Sequence, residues 1–169
     1  MEDQSFPKKA LVTAWRILLD RIPTRQNLVV RGIMVNSPLC VLCNQLVETT
    51  QHLFLDCIFA YRVWMLCYTW IGVMGAHNRD LCNHFLNFHL FNLNEKQNQV
   101  WKGVWVANLR CIWEHRNNVI FKQGVPDHEE AFQAAQLMSW LWLKHRKGSF
   151  SYAFSDWLLN PIQCMLGVR

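Results

Sequence analysis

The sequence predicts an all-α fold of about five or six helices, and three observations carry that expectation. Apolar residues recur at helical spacing, most clearly over 7–21 and 95–122. Glycine and proline are few, seven and five in 169 residues, and they fall where elements would end. The composition supplies a large core: 51% of residues are hydrophobic and 17% charged, with nine tryptophans and ten phenylalanines. Burial therefore does not limit folding, and the length suits one ordinary domain.

The first helix is expected over 7–21, with Leu11, Ala14, Trp15, Leu18, Leu19 and Ile22 on the inward face and Lys9, Thr13, Arg16 and Asp20 opposite. Pro7 suits a helix start and Pro23 ends the element. Thr24 is a good N-cap for a short second helix over 26–31, closed by Gly32. Ser37-Pro38 then breaks the chain, and 44–50 reads as a polar turn with a short extended piece. A third helix is expected over 57–72, N-capped by Asp56, which places Cys57 in its first turn. There the positive end of the helix dipole favours a thiolate. Phe59, Val63, Trp64, Leu66, Cys67, Trp70 and Ile71 make this helix apolar on nearly every side, so its expected place is the centre of the domain.

Residues 72–79 read as a loop, and the dense apolar run 81–93 as helix of weak period. The longest helix is expected over 95–122, striped by Trp101, Val104, Trp105, Ile112 and Val119. After the break at Gly124–Asp127, a last helix over 128–147 ends on Lys144, His145, Arg146 and Lys147, which complement its dipole. No element is assigned to the tail, 148–169. The expected division is thus 6–72, a helical extension 80–147 packed on it, and the tail.

Four metal-ligand side chains fall in one window, Cys40-x2-Cys43-x8-His52-x4-Cys57. Three thiolates and one imidazole can close a tetrahedral Zn²⁺ site of the Cys₃His type, a small zinc knuckle. Four protein ligands leave no open position for water or substrate, so a single structural Zn²⁺ is the expected cofactor, with a centre charge of about −1. The competing readings are buried thiols beside a surface histidine and a redox Cys-x-x-Cys. The redox motif normally opens a helix after a strand, which Pro38 and the turn-rich stretch after Cys43 fit poorly.

Residues 2 and 3 are acidic, which does not suit a secretion signal, and Arg62 interrupts the apolar run 58–73. The expectation is an intracellular protein, nuclear or cytoplasmic, not secreted and with no membrane partner. Its cysteines then serve as ligands and buried thiols. No nucleophile elbow, triad context or phosphate-cradling glycine loop occurs, so no enzymatic role is expected.

Beyond these physical readings, the wording of the sequence resembles one family. Pro7, Ala14-Trp15-Arg16, Arg21-Ile22-Pro23-Thr24-Arg25-Gln26-Asn27-Leu28, Arg31-Gly32, Cys40, Cys43, Glu48-Thr49, His52-Leu53-Phe54, Cys57 and Trp64 resemble the zinc-binding domain that follows the reverse transcriptase of plant LINE-type (non-LTR) retrotransposons. The stretch 112–121, from Ile112 through Arg116 and Asn117 to Phe121, looks like the segment following that domain. The resemblance implies a non-catalytic zinc-stabilised module that binds nucleic acid, RNA or DNA, beside a reverse transcriptase domain in the parent element. It carries over Cys40, Cys43, His52 and Cys57 as ligands. No paired aspartates of a polymerase palm are present, so the chain reads as a fragment of a retroelement frame.

The net charge is +5, which permits nucleic-acid contact without requiring it. Lys8, Lys9, Arg16, Arg21, Arg25 and Arg31 cluster around the first two helices and are the candidate contacts, with Arg116 and Asn117 as a second set. Each alone reads more simply as a solvated or capping residue. Trp101, Trp105, Trp113, Trp140 and Trp142 at helical spacing read as core rather than as base-stacking platforms. The alternative is a structural or interaction domain remnant of a decayed retroelement, with no nucleic-acid binding of its own. What separates the two is whether the N-terminal basic residues share one exposed face beside the zinc loop.

Overall fold

The computed structural model describes residues 6–73, 80–145 and 150–168. Among them are eight α-helices and one π-helical turn, with no strand. α1 (Lys8–Leu18) starts one residue later than expected, with Pro7 as its N-cap rather than its first residue. It ends earlier than 21 because Asp20 turns left-handed (φ 52°), which terminates a helix. Asn27 Nδ2 holds that turn, donating to the carbonyls of Asp20 and Ile22 at 3.1 and 3.0 Å.

The inward face of α1 differs from the expected one. Ala10, Ala14 and Ile17 are buried, while Leu11, Val12, Trp15 and Leu19 are exposed. α1 packs on the longest helix, where the Phe6 ring lies over Gly103 at a spot a Cβ would fill. α2 (Arg25–Val30) is capped by Thr24, whose Oγ1 accepts from the Asn27 N–H at 3.3 Å, and buries none of its own residues. Gly32 follows at φ 76°, a conformation that suits glycine.

The extended piece in 44–50 is real but minimal, one antiparallel bridge between Leu39 and Val47. A π turn, His52–Asp56, then leads into α3 (Ile58–Trp70). Cys57 is the N-cap of α3 with extended backbone (φ −64°, ψ 134°), rather than a first-turn residue behind an Asp56 cap. The π turn consumes Asp56, so the helix starts one residue later than expected. α3 buries Phe59, Ala60, Val63, Trp64, Cys67 and Tyr68 but exposes Ile58, Tyr61 and Met65.

The apolar run 81–93 is helical only over α4 (Leu81–Leu86). The rest is a loop whose backbone Asn98 satisfies. Its Oδ1 accepts from the Leu90 N–H at 2.8 Å, and its Nδ2 donates to the carbonyls of Leu90 and Leu93 at 3.0 and 2.8 Å.

α5 (Glu95–Lys122) has the expected bounds, opened by a reciprocal capping box between Asn94 and Gln97. It is the hub in place of α3, packing on α1, α3, α6 and α8. α6 is His128–His145; Arg146 and Lys147 lie outside the described residues, as does most of the expected loop 72–79. The tail folds as α7 (Phe154–Leu159) and α8 (Pro161–Leu166), docked on α6 and α5. Trp157 anchors it, fully buried, its Nε1–H donating to the Gln136 carbonyl at 3.1 Å.

Trp101 and Trp105 are core, and Trp113, Trp140 and Trp142 pack half-buried against it. Inside the core Trp105 Nε1–H donates to His84 Nδ1 at 2.8 Å, so that nitrogen is bare and Nε2–H faces Tyr68 Oη at 2.7 Å. No helix of the described residues is long and apolar enough to cross a membrane.

Candidate metal centre

Two local devices bring the four ligands together. In the first, Cys40 N–H donates to the Leu46 carbonyl at 2.8 Å, and Asn44 N–H returns to the Cys40 carbonyl at 2.7 Å. Asn44 sits left-handed at φ 56°, a region that asparagine tolerates better than most residues. The Cys40–Cys43 pair is thereby folded onto one spot. In the second, Cys57 N–H donates to the His52 carbonyl at 2.7 Å, an i to i+5 bond that sets these ligands one π turn apart. Thr49 Oγ1 caps the turn by accepting from the His52 N–H at 2.8 Å.

The resulting ligand atoms all lie within 4.8 Å of one another. Cys43 Sγ is 3.3 Å from His52 Nε2 and Cys40 Sγ is 3.9 Å from Cys57 Sγ. Tetrahedral bonds of standard length place such pairs about 3.5–3.8 Å apart, so the donor set fits one Zn²⁺ with small adjustments. Cys40, Cys57 and His52 are buried and Cys43 is half-buried. The other ring nitrogen of His52, Nδ1, is buried without a hydrogen-bond partner, so Nε2 is the nitrogen turned to the sulfurs.

The electrostatics of the metal-free cluster follow from these distances. The hydrogen bond with Cys57, together with burial, pushes the Cys40 thiol up to about 12. The same contact holds Cys57 below the usual thiol value, helped by the amides of Phe59 and Ala60 at the start of α3. Neither amide reaches full hydrogen-bond geometry, so their effect is that of the helix end. The neighbouring Cys40, then Cys43, raises His52. One proton is therefore held between Cys40 and Cys57, and a metal that takes both sulfurs displaces it.

Glu48, whose part the sequence did not reveal, ties this loop to the rest of the fold. It is fully buried. Its Oε1 accepts from the Arg25 N–H at 3.0 Å and from an Arg116 terminal nitrogen at 2.6 Å, and Arg116 Nε adds a contact at 3.2 Å. Arg116 and Asn117 thus stand apart from the other candidate contacts. Arg116 is 4% exposed, pairs with Glu48, lies over the Trp113 ring and donates to Asn117 Oδ1 at 3.0 Å. The guanidinium serves the interior, through a pairing 68 residues apart in sequence that no local pattern signals.

The N-terminal basic residues gather on the outside. Lys8, Lys9, Arg16, Arg21 and Arg31 are exposed, and Arg25 is half-buried with its terminal nitrogen on the Leu39 carbonyl at 2.6 Å, next to Cys40. Arg16 and Arg31 both donate to the Arg21 carbonyl, at 3.5 and 3.2 Å, and the Arg21 guanidinium stands over the Trp15 ring at 5.9 Å.

No curated protein and no solved structure matches the chain. Residues 3–64, which hold all four ligands, α1, α2, the π turn and the start of α3, match the family model described as zinc-binding in reverse transcriptase.

Proposed function

We propose that the chain is a non-catalytic, zinc-stabilised nucleic-acid-binding accessory module of a plant LINE-type retrotransposon reverse transcriptase, acting inside the cell. In this reading 6–72 is the zinc-binding unit, 80–147 a helical extension packed on it, and 148–169 a tail. The observation that supports it best is the arginine cluster. Arg16 and Arg31 converge on the Arg21 carbonyl, the Arg21 guanidinium stands over Trp15, and none of the three pairs with a carboxylate among the described residues.

Like charges held side by side favour an anionic partner. The neighbouring α2 is fastened to the ligand loop through Arg25 and Glu48, so the metal would hold the basic face in place. RNA or DNA is the partner that suits both this face and a polymerase setting. Binding of zinc-loaded protein to RNA and duplex DNA across a salt series tests it. Affinity should fall steeply with salt, and Arg16→Ala/Arg21→Ala/Arg31→Ala should lower the salt slope by about one per arginine on duplex. Affinity immeasurable at low salt sinks the reading.

A second reading, an interaction domain left from a decayed element, is favoured by the apolar surface at the end of α2. There Val30 is 78% and Met34 97% exposed. That reading expects no nucleic-acid binding at all.

A further inference from the structure

We propose that the face formed by Trp15 and the arginine cluster binds single-stranded nucleic acid, taking a phosphate on Arg16 and Arg31 and stacking an unpaired base on Trp15. The inference rests on the nucleic-acid reading above and names which form of nucleic acid it concerns.

Trp15 lies mid-way along α1 and is 55% exposed, with Leu11 and Leu19, one turn to either side, 42% and 45% exposed. Residues four apart share a helix face, so the indole sits in an open apolar stripe. An exposed tryptophan is the costliest of side chains to leave in water. The Arg21 guanidinium stands over this ring at 5.9 Å, a cation–π contact that brings positive charge to its edge of the stripe.

Beside it, Arg16 and Arg31 each spend one N–H on the Arg21 carbonyl and keep the other donors of their guanidinium forks for a ligand. A phosphate clamp next to an open π face suits a nucleotide whose base is free to leave the stack. In a duplex the base faces are covered by their neighbours, and such a surface would use only the arginines. Every base has a π face, so no sequence preference follows.

The test uses the zinc-loaded full chain and labelled oligonucleotides of about 12 nucleotides, within the site sizes such surfaces cover. Single-stranded RNA, single-stranded DNA and a blunt duplex are compared by anisotropy. Single strands should bind on the order of tenfold or more tighter than duplex. Trp15→Ala should cost on the order of ten- to a hundredfold on single strands with duplex unmoved, and Trp15→Phe should restore most of it. Unchanged zinc content and circular dichroism establish that the variants are folded. The two single-stranded arms show whether the sugar is read.

Equal single-strand and duplex affinity, both insensitive to Trp15→Ala, overturns this inference. If Arg16→Ala/Arg31→Ala still weakens both, the broader nucleic-acid reading stands. Loss of self-association on Trp15→Ala without loss of strand binding also overturns it, by assigning the face to a protein contact. No binding by any strand removes both.

Discussion

Cys40 shows what the metal must do to enter. Its thiol, at about 12 in the metal-free cluster, is protonated at neutral pH, and His52 is raised by its thiol neighbours. For both groups the sign is the same. A folded pKa above the unfolded value stabilises the metal-free fold fully below the unfolded value, and that stabilisation is lost as pH rises toward the folded one. The windows begin near 6.5 for His52 and 9.0 for Cys40. Zinc requires the deprotonated form of both groups. Its apparent affinity should therefore rise with pH, and binding at pH 7 should expel at least one proton, that of Cys40. Calorimetry in two buffers of different ionisation enthalpy reads this number directly, and zero protons released would show that Cys40 is not a ligand. Glu48 poses the other residue-level question. Glu48→Gln keeps the shape but leaves Arg116 a buried cation without its counter-charge, an expected loss of roughly 3–5 kcal/mol in urea unfolding. Adding Arg116→Met should return much of it, because the unpaired charge is then gone.

At the scale of elements, the loop 87–94 makes the sharpest case. Its run of leucines and phenylalanines has a helix-like composition, yet Asn98 reaches back from α5 and satisfies both polar groups of Leu90 and the Leu93 carbonyl. Asn98→Leu should cost about 1–2 kcal/mol, since part-buried backbone groups lose their partners. Hydrogen exchange should quicken at the Leu90 amide, and unchanged exchange there would refute the bracing role. Such contacts mark where the sequence was legible. α5 was readable to its end residues because Asn94 and Gln97 cap it locally. The four ligands were readable because their spacing is local too. The start of α3 was not, because a π turn between two ligands depends on closing the site. The inward face of α1 was misread because its three buried residues include two alanines, while its larger apolar side chains face outward. The tail was opaque because Trp157 finds its partners on α6, 18 and 21 residues away.

For the whole molecule, the question is how far the metal's stabilisation spreads. A structural zinc contributes on the order of 10 kcal/mol in apparent terms, and here it enters a segment with little regular secondary structure of its own. α2 buries none of its own residues, and the ligand loop has a single bridge for backbone pairing. By contrast, α5 and α6 pack on each other, and the fully buried Trp64, Trp101 and Trp105 of α3 and α5 close around His84 and Phe88. Two fasteners join the regions: Glu48 to Arg116 on α5, and the buried Leu53, Phe54 and Leu55 of the π turn, where Trp64 Nε1–H donates to the Phe54 carbonyl at 2.8 Å. Because the π turn is closed by two ligands, chelation should release the turn along with the loop. Hydrogen exchange after chelator addition should then lose protection first over α2 and 37–57, next at the start of α3, and last in α5 and α6. This is sub-global opening with a graded free energy. Glu48→Gln should narrow the gap in the other direction, making the ligand segment exchange faster even with zinc bound. Uniform loss of protection across α5 and α6 at the same chelator concentration would instead mean that the metal holds the entire fold as one cooperative unit. In that case the basic face of α1 and α2 could not loosen from the zinc loop without unfolding the core behind it.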